Sequence, residues 1–240
     1  MKVVTLVSLF IIGLGTTFAT TTDALKLTVN GVTATITDNG GCVGAGCVGL
    51  LGDLNPLPGT DTVSGTLGGW TISITSGTSY SPNDVPFGLD LTSLTATCVA
   101  GGLCDLHPLD VQFSDINFSP ANPSFSTTYS NTQNGAGSTS ESAYFSNCGA
   151  TCSNANLFAE TNLIGTLGPW NGSNVGTKTG GAGSVAPYSL TLDQMFTATG
   201  TGAVSFSVEG SVSSVPEPGA VMLFGTVLAL CASRLRRRPS

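Results

Sequence analysis

The one histidine of the 240-residue chain, His107, sits in Asp105-Leu-His-Pro-Leu-Asp110. A Ser-His-Asp hydrolase would need it as general base beside an activated serine. The chain has no Gly-x-Ser-x-Gly elbow, and Pro108 puts the histidine in a loop, so it reads as a solvated residue. Glycoside hydrolysis needs two carboxylates facing each other across a cleft, and nothing in the sequence brings Glu141 and Glu160 together. Neither a phosphate-cradling glycine loop nor a dinucleotide fingerprint is present. No catalytic residue is assigned, no cofactor is expected, and the protein reads as a non-enzyme.

Binding chemistry is better represented. Asp38-Asn39-Gly40, Asn83-Asp84 and Asp115-Ile116-Asn117 carry the oxygens a structural calcium accepts, although Asp and Asn also form ordinary turns. Trp70, Trp170, Tyr80, Tyr129, Tyr144 and Tyr188 could stack on sugar rings. Trp70 opens an alternating strand and reads as core. Trp170 follows Pro169 and precedes a polar loop, which makes it the ligand candidate. Thr33, Thr35 and Thr37 form one outward row of the kind flat ice-binding faces use, and also the kind any half-buried strand shows. Six cysteines form three close couples, Cys42 with Cys47, Cys98 with Cys104 and Cys148 with Cys152. Local disulfides are the simplest reading in an exported chain, and a zinc site combining two couples is the competing one.

The elements that hold these groups follow from composition. Gly, Ser and Thr fill 92 positions and charged residues 9%, yet 40% of the chain is apolar and mean hydropathy is +0.29. That is too apolar for disorder and too rich in Thr and Gly for helices. We expect a single all-β domain over residues 25–212, an antiparallel β-sandwich or jelly roll of nine to eleven strands. Leu25, Leu27 and Val29 face Ile36, Ala34 and Val32 across an Asn30-Gly31 type I′ turn. Alternation recurs at Trp70-Ile72-Ile74, 185–192 and Val204-Phe206-Val208, and strands are expected near 123–130, 141–147 and 155–163. Parity shifts between Leu109-Val111-Phe113 and Ile116-Phe118, so Ser114-Asp115 reads as a bulge. Gly65-Thr-Leu-Gly-Gly-Trp70 recurs as Gly165-Thr-Leu-Gly-Pro-Trp170, which fits coincidence or a shared turn type better than a duplicated half. Segments 130–140 and 171–184 read as long surface loops. Residues 25–215 hold twelve acids against Lys26 and Lys178, a net charge of −10, which disfavours nucleic acid and anionic lipid as partners.

The ends carry routing signals. Residues 1–24 combine Lys2, a short apolar run and small residues, the pattern of a secretory signal peptide cut after Ala24, or alternatively after Ala19. Residues 213–240 contain Val215-Pro216-Glu217-Pro218-Gly219, an apolar stretch to Ala232 that includes Cys231, and Arg234, Arg236, Arg237 and Arg238. Fourteen residues rise about 21 Å as helix, short of a hydrocarbon core of about 30 Å, so the segment is a strained membrane helix and the arginines stop it at the cytoplasmic face. This tail resembles the PEP-CTERM sorting signal of Gram-negative bacteria, an element that also occurs on ice-binding proteins. The resemblance implies recognition by an exosortase-type membrane processing enzyme, transient residence in the inner membrane, and a cell-surface or extracellular destination. It further implies association with extracellular polysaccharide or biofilm matrix. The alternative function is a carbohydrate- or ice-binding β-module.

Overall fold

The computed structural model describes residues 23–80, 87–119, 123–181, 183–200 and 202–215, with residues 76 and 80 described by their backbone alone. Within them lie thirteen strands: β1 (Ala24–Val29), β2 (Val32–Thr37), β3 (Cys42–Val43), β4 (Thr60–Leu67), β5 (Trp70–Tyr80), β6 (Gly88–Cys98), β7 (Leu109–Phe118), β8 (Ser124–Asn134), β9 (Gly137–Asn147), β10 (Asn162–Trp170), β11 (Asn174–Gly180), β12 (Tyr188–Ala198) and β13 (Val204–Val215). They form two antiparallel sheets, a seven-stranded one in the order β10-β9-β12-β7-β1-β2-β3 and a six-stranded one in the order β11-β8-β13-β6-β5-β4. The chain is all-β and sandwich-like. The signal segment, the Pro-Glu-Pro tail from Pro216 onward and the Asn83-Asp84 run lie outside the described residues. Among the described residues no helix is long and apolar enough to cross a membrane.

The β1–β2 hairpin has the expected register, with Leu25 opposite Ile36, Leu27 opposite Ala34 and Val29 opposite Val32. Asn30 and Gly31 take φ of 51° and 75°, the left-handed pair a type I′ turn needs. The inward rows of both sheets meet in one core. Trp70 packs against Phe206, which packs against Phe196, while Phe87, Phe118, Phe125 and Tyr188 form a second aromatic group. The buried indole of Trp70 donates its N–H to the His107 carbonyl at 3.0 Å, so the expectation that Trp70 is core holds.

Several expectations are corrected. The Gln-, Ser- and Asn-rich stretch 130–140 is not a loop: β8 and β9 run through it with only Gly135 and Ala136 between them, and the turn carries the chain from one sheet to the other. Residues 174–180 likewise form edge strand β11 on β8. Both stretches pair by backbone hydrogen bonds while their side chains are mostly hydroxyls and amides, so no apolar alternation marks them. The strand expected over 155–163 starts at Asn162, because Asn154–Asn156 is a 3-10 turn. The bulge in β7 exists but lies at Ile116-Asn117, with Asn117 at φ 70°; three steps on β7, from Asp115 to Phe118, face two on β12, from Leu190 to Tyr188. The two Gly-Thr-Leu-Gly copies are not equivalent. The first makes the Gly68-Gly69 turn between β4 and β5, and the second lies within β10, with a register shift between Leu167 and Trp170.

All three cysteine couples are disulfides, with Cα separations of 5.6, 5.7 and 4.8 Å, so their thiols are not available to zinc. Loops this short stabilise by roughly 2 kcal/mol each through loop closure. Each one pins a connection: Cys42–Cys47 the turn over the β2 edge, Cys98–Cys104 the end of β6, and Cys148–Cys152 the loop leaving β9.

Candidate functional site

Trp170 ends β10 half-buried, its ring stacked on that of Tyr129 with centroids 5.5 Å apart and planes 21° off parallel. The far edge of the indole rests on the β11 backbone, where a Cβ at Gly176 would meet ring carbons at 3.0 Å. The next residues turn the chain into β11 and, together with the β8–β9 turn, shape a concave site of about 380 Å³. Gln133, Asn171, Gly172 and Thr199 line it beside the Gly135–Gly137 backbone. Gln133 is locked: its amide donates to the Gly135 and Gly137 carbonyls at 3.0 and 2.9 Å and accepts from the Gly172 N–H at 3.1 Å. Asn171 and Thr199 are exposed. The lining is neutral, built from amides, a hydroxyl and backbone. All but Thr199 come from the stretches 130–140 and 171–184 that sequence reasoning read as loops, and Trp170 was the visible signal beside them.

A second polar assembly occupies the outer face of the seven-stranded sheet, where Lys26, Gln112 and Asp193 stand side by side on β1, β7 and β12. The connection from Cys148 to Thr161 crosses this face. The Phe158 N–H donates to Ser114 Oγ at 3.0 Å, Thr191 Oγ1 to the Ala159 carbonyl at 3.4 Å, and Gln112 to the Glu160 carboxylate. The Lys26 ammonium sits 4.9 Å from the centre of the Phe158 ring. Burial pushes the Asp193 carboxyl up to about 8, helped by Asp110, with which it shares a hydrogen bond; Lys26 pulls the other way. Burial and Asp110 also raise Glu160. Asp110 and Asp193 carry no sequence motif, so strand parity alone could have paired them.

The expected Glu141 and Glu160 are indeed apart. Glu141 is sealed between the sheets, held by Thr127 Oγ1 at 2.8 Å and Gln194 Nε2 at 2.9 Å, and burial pushes it up to about 8. Glu160 lies exposed on the covering loop. His107 is half-buried in its turn, its carbonyl engaged by Trp70. Tyr129 and Tyr188 are core residues and Tyr144 is half-buried on β9. The Thr33–Thr37 row stands beside Thr28 and Lys26 of β1, so a lysine interrupts the threonines. Of the expected calcium runs, Asp38 and Asp115 turn toward one place, the end of the sandwich at the start of β1, where Asp23, Asp53 and Asp61 join them.

No protein-family profile matches the chain, and no curated protein does. Among solved structures it is similar to the enzymatically active domain of tailspike protein 4 of bacteriophage CBA120, at 15% identity and TM-score 0.33, over 61% of this chain and 19% of that one. It is also similar to a structure described as "CBM4 structure and function", at 14% identity and TM-score 0.29, over 61% of this chain and 95% of that one. The chain thus spans about a fifth of the tailspike domain.

Proposed function

We propose that the chain is an exported, non-enzymatic surface or secreted protein of the PEP-CTERM type, associated with extracellular polysaccharide, and that the concave site beside Trp170 is its sugar contact. The observation that carries the contact is the uncharged, hydrogen-bonding lining next to a half-buried indole. Neutral sugars offer hydroxyls around an apolar ring face, the complement of such a lining. The three disulfides suggest an extracellular or periplasmic protein. Hydrolysis of a glycosidic bond needs carboxyls about 5 Å or more apart, whereas Asp110 and Asp193 share a hydrogen bond, which supports the non-enzymatic reading. Asp23 is fully buried and Ala24 opens β1, which favours signal cleavage after Ala19 over Ala24. Exosortase is the partner for the Pro216-Glu217-Pro218 tail, with Arg234 to Arg238 as the stop.

A glycan array probed with the full chain tests the contact. Saturable binding is expected, weakened about three- to tenfold in Asn171→Ala, the worth of one hydrogen bond from the lining. Trp170→Ala, which removes the indole that precedes the lining and stacks on Tyr129, should weaken it as well. Absence of binding across the array, or binding untouched by both changes, overturns the assignment. Routing is tested by intact mass from cells with and without exosortase: Arg234 to Ser240 should remain only where the enzyme is missing.

A further inference from the structure

Asp61 occupies an inward position of β4, two residues before the core residue Val63, and is wholly buried. Among the described residues, neither of its carboxylate oxygens has a hydrogen-bond partner. A buried carboxylate left so is among the costliest arrangements a fold can hold, unless it is neutralised or meets a cation. Asp61 is aimed at more carboxylates. One oxygen each of Asp38, Asp53 and Asp61 lies within 4.8 Å of the other two.

The neighbouring acids are held in place by backbone amides. Asp53 accepts the N–H groups of Asn39, Asn55 and Thr62 at 2.9, 2.9 and 2.8 Å, and Asp38 accepts that of Gly59 at 3.1 Å and the Asn39 side chain at 2.8 Å. Asp23, the first described residue, and Asp115, on β7 just before its bulge, add their fields. No cation among the described residues answers Asp61: Lys26 lies over Phe158 on the outer sheet face and Lys178 on edge strand β11. Wiring that orients two carboxylates while leaving the most buried third one bare is the geometry of a ligand set.

We propose that Asp38, Asp53 and Asp61 bind one calcium ion, which braces the long β2–β4 connection against the sandwich. All donors are hard carboxylate oxygens, the preference of calcium and magnesium rather than of zinc or copper. Three carboxylates converging within 4.8 Å of one another suit calcium, since magnesium is usually held by one or two carboxylates and keeps most of its waters. This site is remote in chemistry from the sugar contact and does not depend on it.

Thermal melting of the full chain at neutral pH, in chelator, in roughly 2 mM calcium and in equal magnesium, tests the site at the concentrations extracellular modules use. Calcium is expected to raise the midpoint by about 5–10 °C, and magnesium by far less. Asp61→Asn should lose the calcium shift yet melt in chelator no lower than the wild type, since one of five crowded carboxylates is gone. That second reading also shows the variant folded. Should it fail to fold, calorimetric titration of calcium into the chelator-treated wild type decides: saturable one-to-one heat supports the site and absence of heat overturns it. Equal midpoints in calcium and chelator, equal shifts with magnesium, or a full shift retained in Asp61→Asn would each overturn it.

Discussion

Glu141 shows how a single residue can be acidic by type and neutral by placement. Thr127 Oγ1 lies 2.8 Å from its carboxyl and 3.0 Å from the Ser211 carbonyl, and one hydroxyl proton cannot serve both. With Glu141 protonated, as burial dictates, the chain closes: Glu141 donates to Thr127, Thr127 to Ser211, and Gln194 to the second Glu141 oxygen. Gly210 makes the room, since a Cβ there would stand 1.7 Å from that oxygen. Glu141→Gln can reproduce every bond and should cost under about 1 kcal/mol at pH 7, whereas Glu141→Ala strands Gln194 and Thr127 beside a cavity and should cost about 2–4 kcal/mol. Urea unfolding of the two variants measures the difference. Equal losses would mean that packing volume, and not the hydrogen-bond chain, holds the site.

At the scale of elements, legibility followed the contrast between apolar and polar positions. The β1–β2 hairpin could be written down residue by residue because its inward row is Leu, Leu, Val against Val, Ala, Ile around Asn-Gly. The edge strand β11, with sequence Asn-Val-Gly-Thr-Lys-Thr-Gly, shows no such contrast and is held by its ladder to β8 and by β10 side chains such as Trp170 against Gly176. In β6 the row breaks at Ser93, whose φ of 53° lets Leu91 and Leu94 both face inward, so alternation by two is lost. The disulfides were legible because their spacing is local, and the ligand candidate Trp170 because its neighbours are. The two carboxylate clusters were not, since their members come from three or more separate segments and only the tertiary fold brings them together. Asp61 could have been suspected, because it keeps the parity of Val63 in a position that should be apolar.

The molecule as a whole carries a net charge of −10 over residues 25–215 and keeps much of its acid in three enclosures: the core, the covered outer face and the sandwich end. Two of these hold carboxyls away from any metal ligand, Glu141 and Asp193, both pushed up to about 8 by burial. In the unfolded chain such groups release their protons near pH 4, so from there upward the folded state binds protons that the unfolded state has lost. Stability from these groups is therefore complete below about pH 4 and drains away as pH rises toward 8, opposite to the common salt-bridged aspartate. One such group changes stability by about 1.4 kcal/mol per pH unit in that window, which moves the midpoint by roughly 3–5 °C in a domain of this size. With calcium held constant, the wild type is expected to melt higher at pH 5.5 than at about pH 8, and Glu141→Gln and Asp193→Asn should each flatten the slope. Melting curves at matched ionic strength read this directly, since the general repulsion among surface acids is screened by salt while the buried groups are not. A midpoint that rises across the window, or a slope unchanged in both variants, would place the proton-binding groups elsewhere and leave the two carboxyls ionised in the fold.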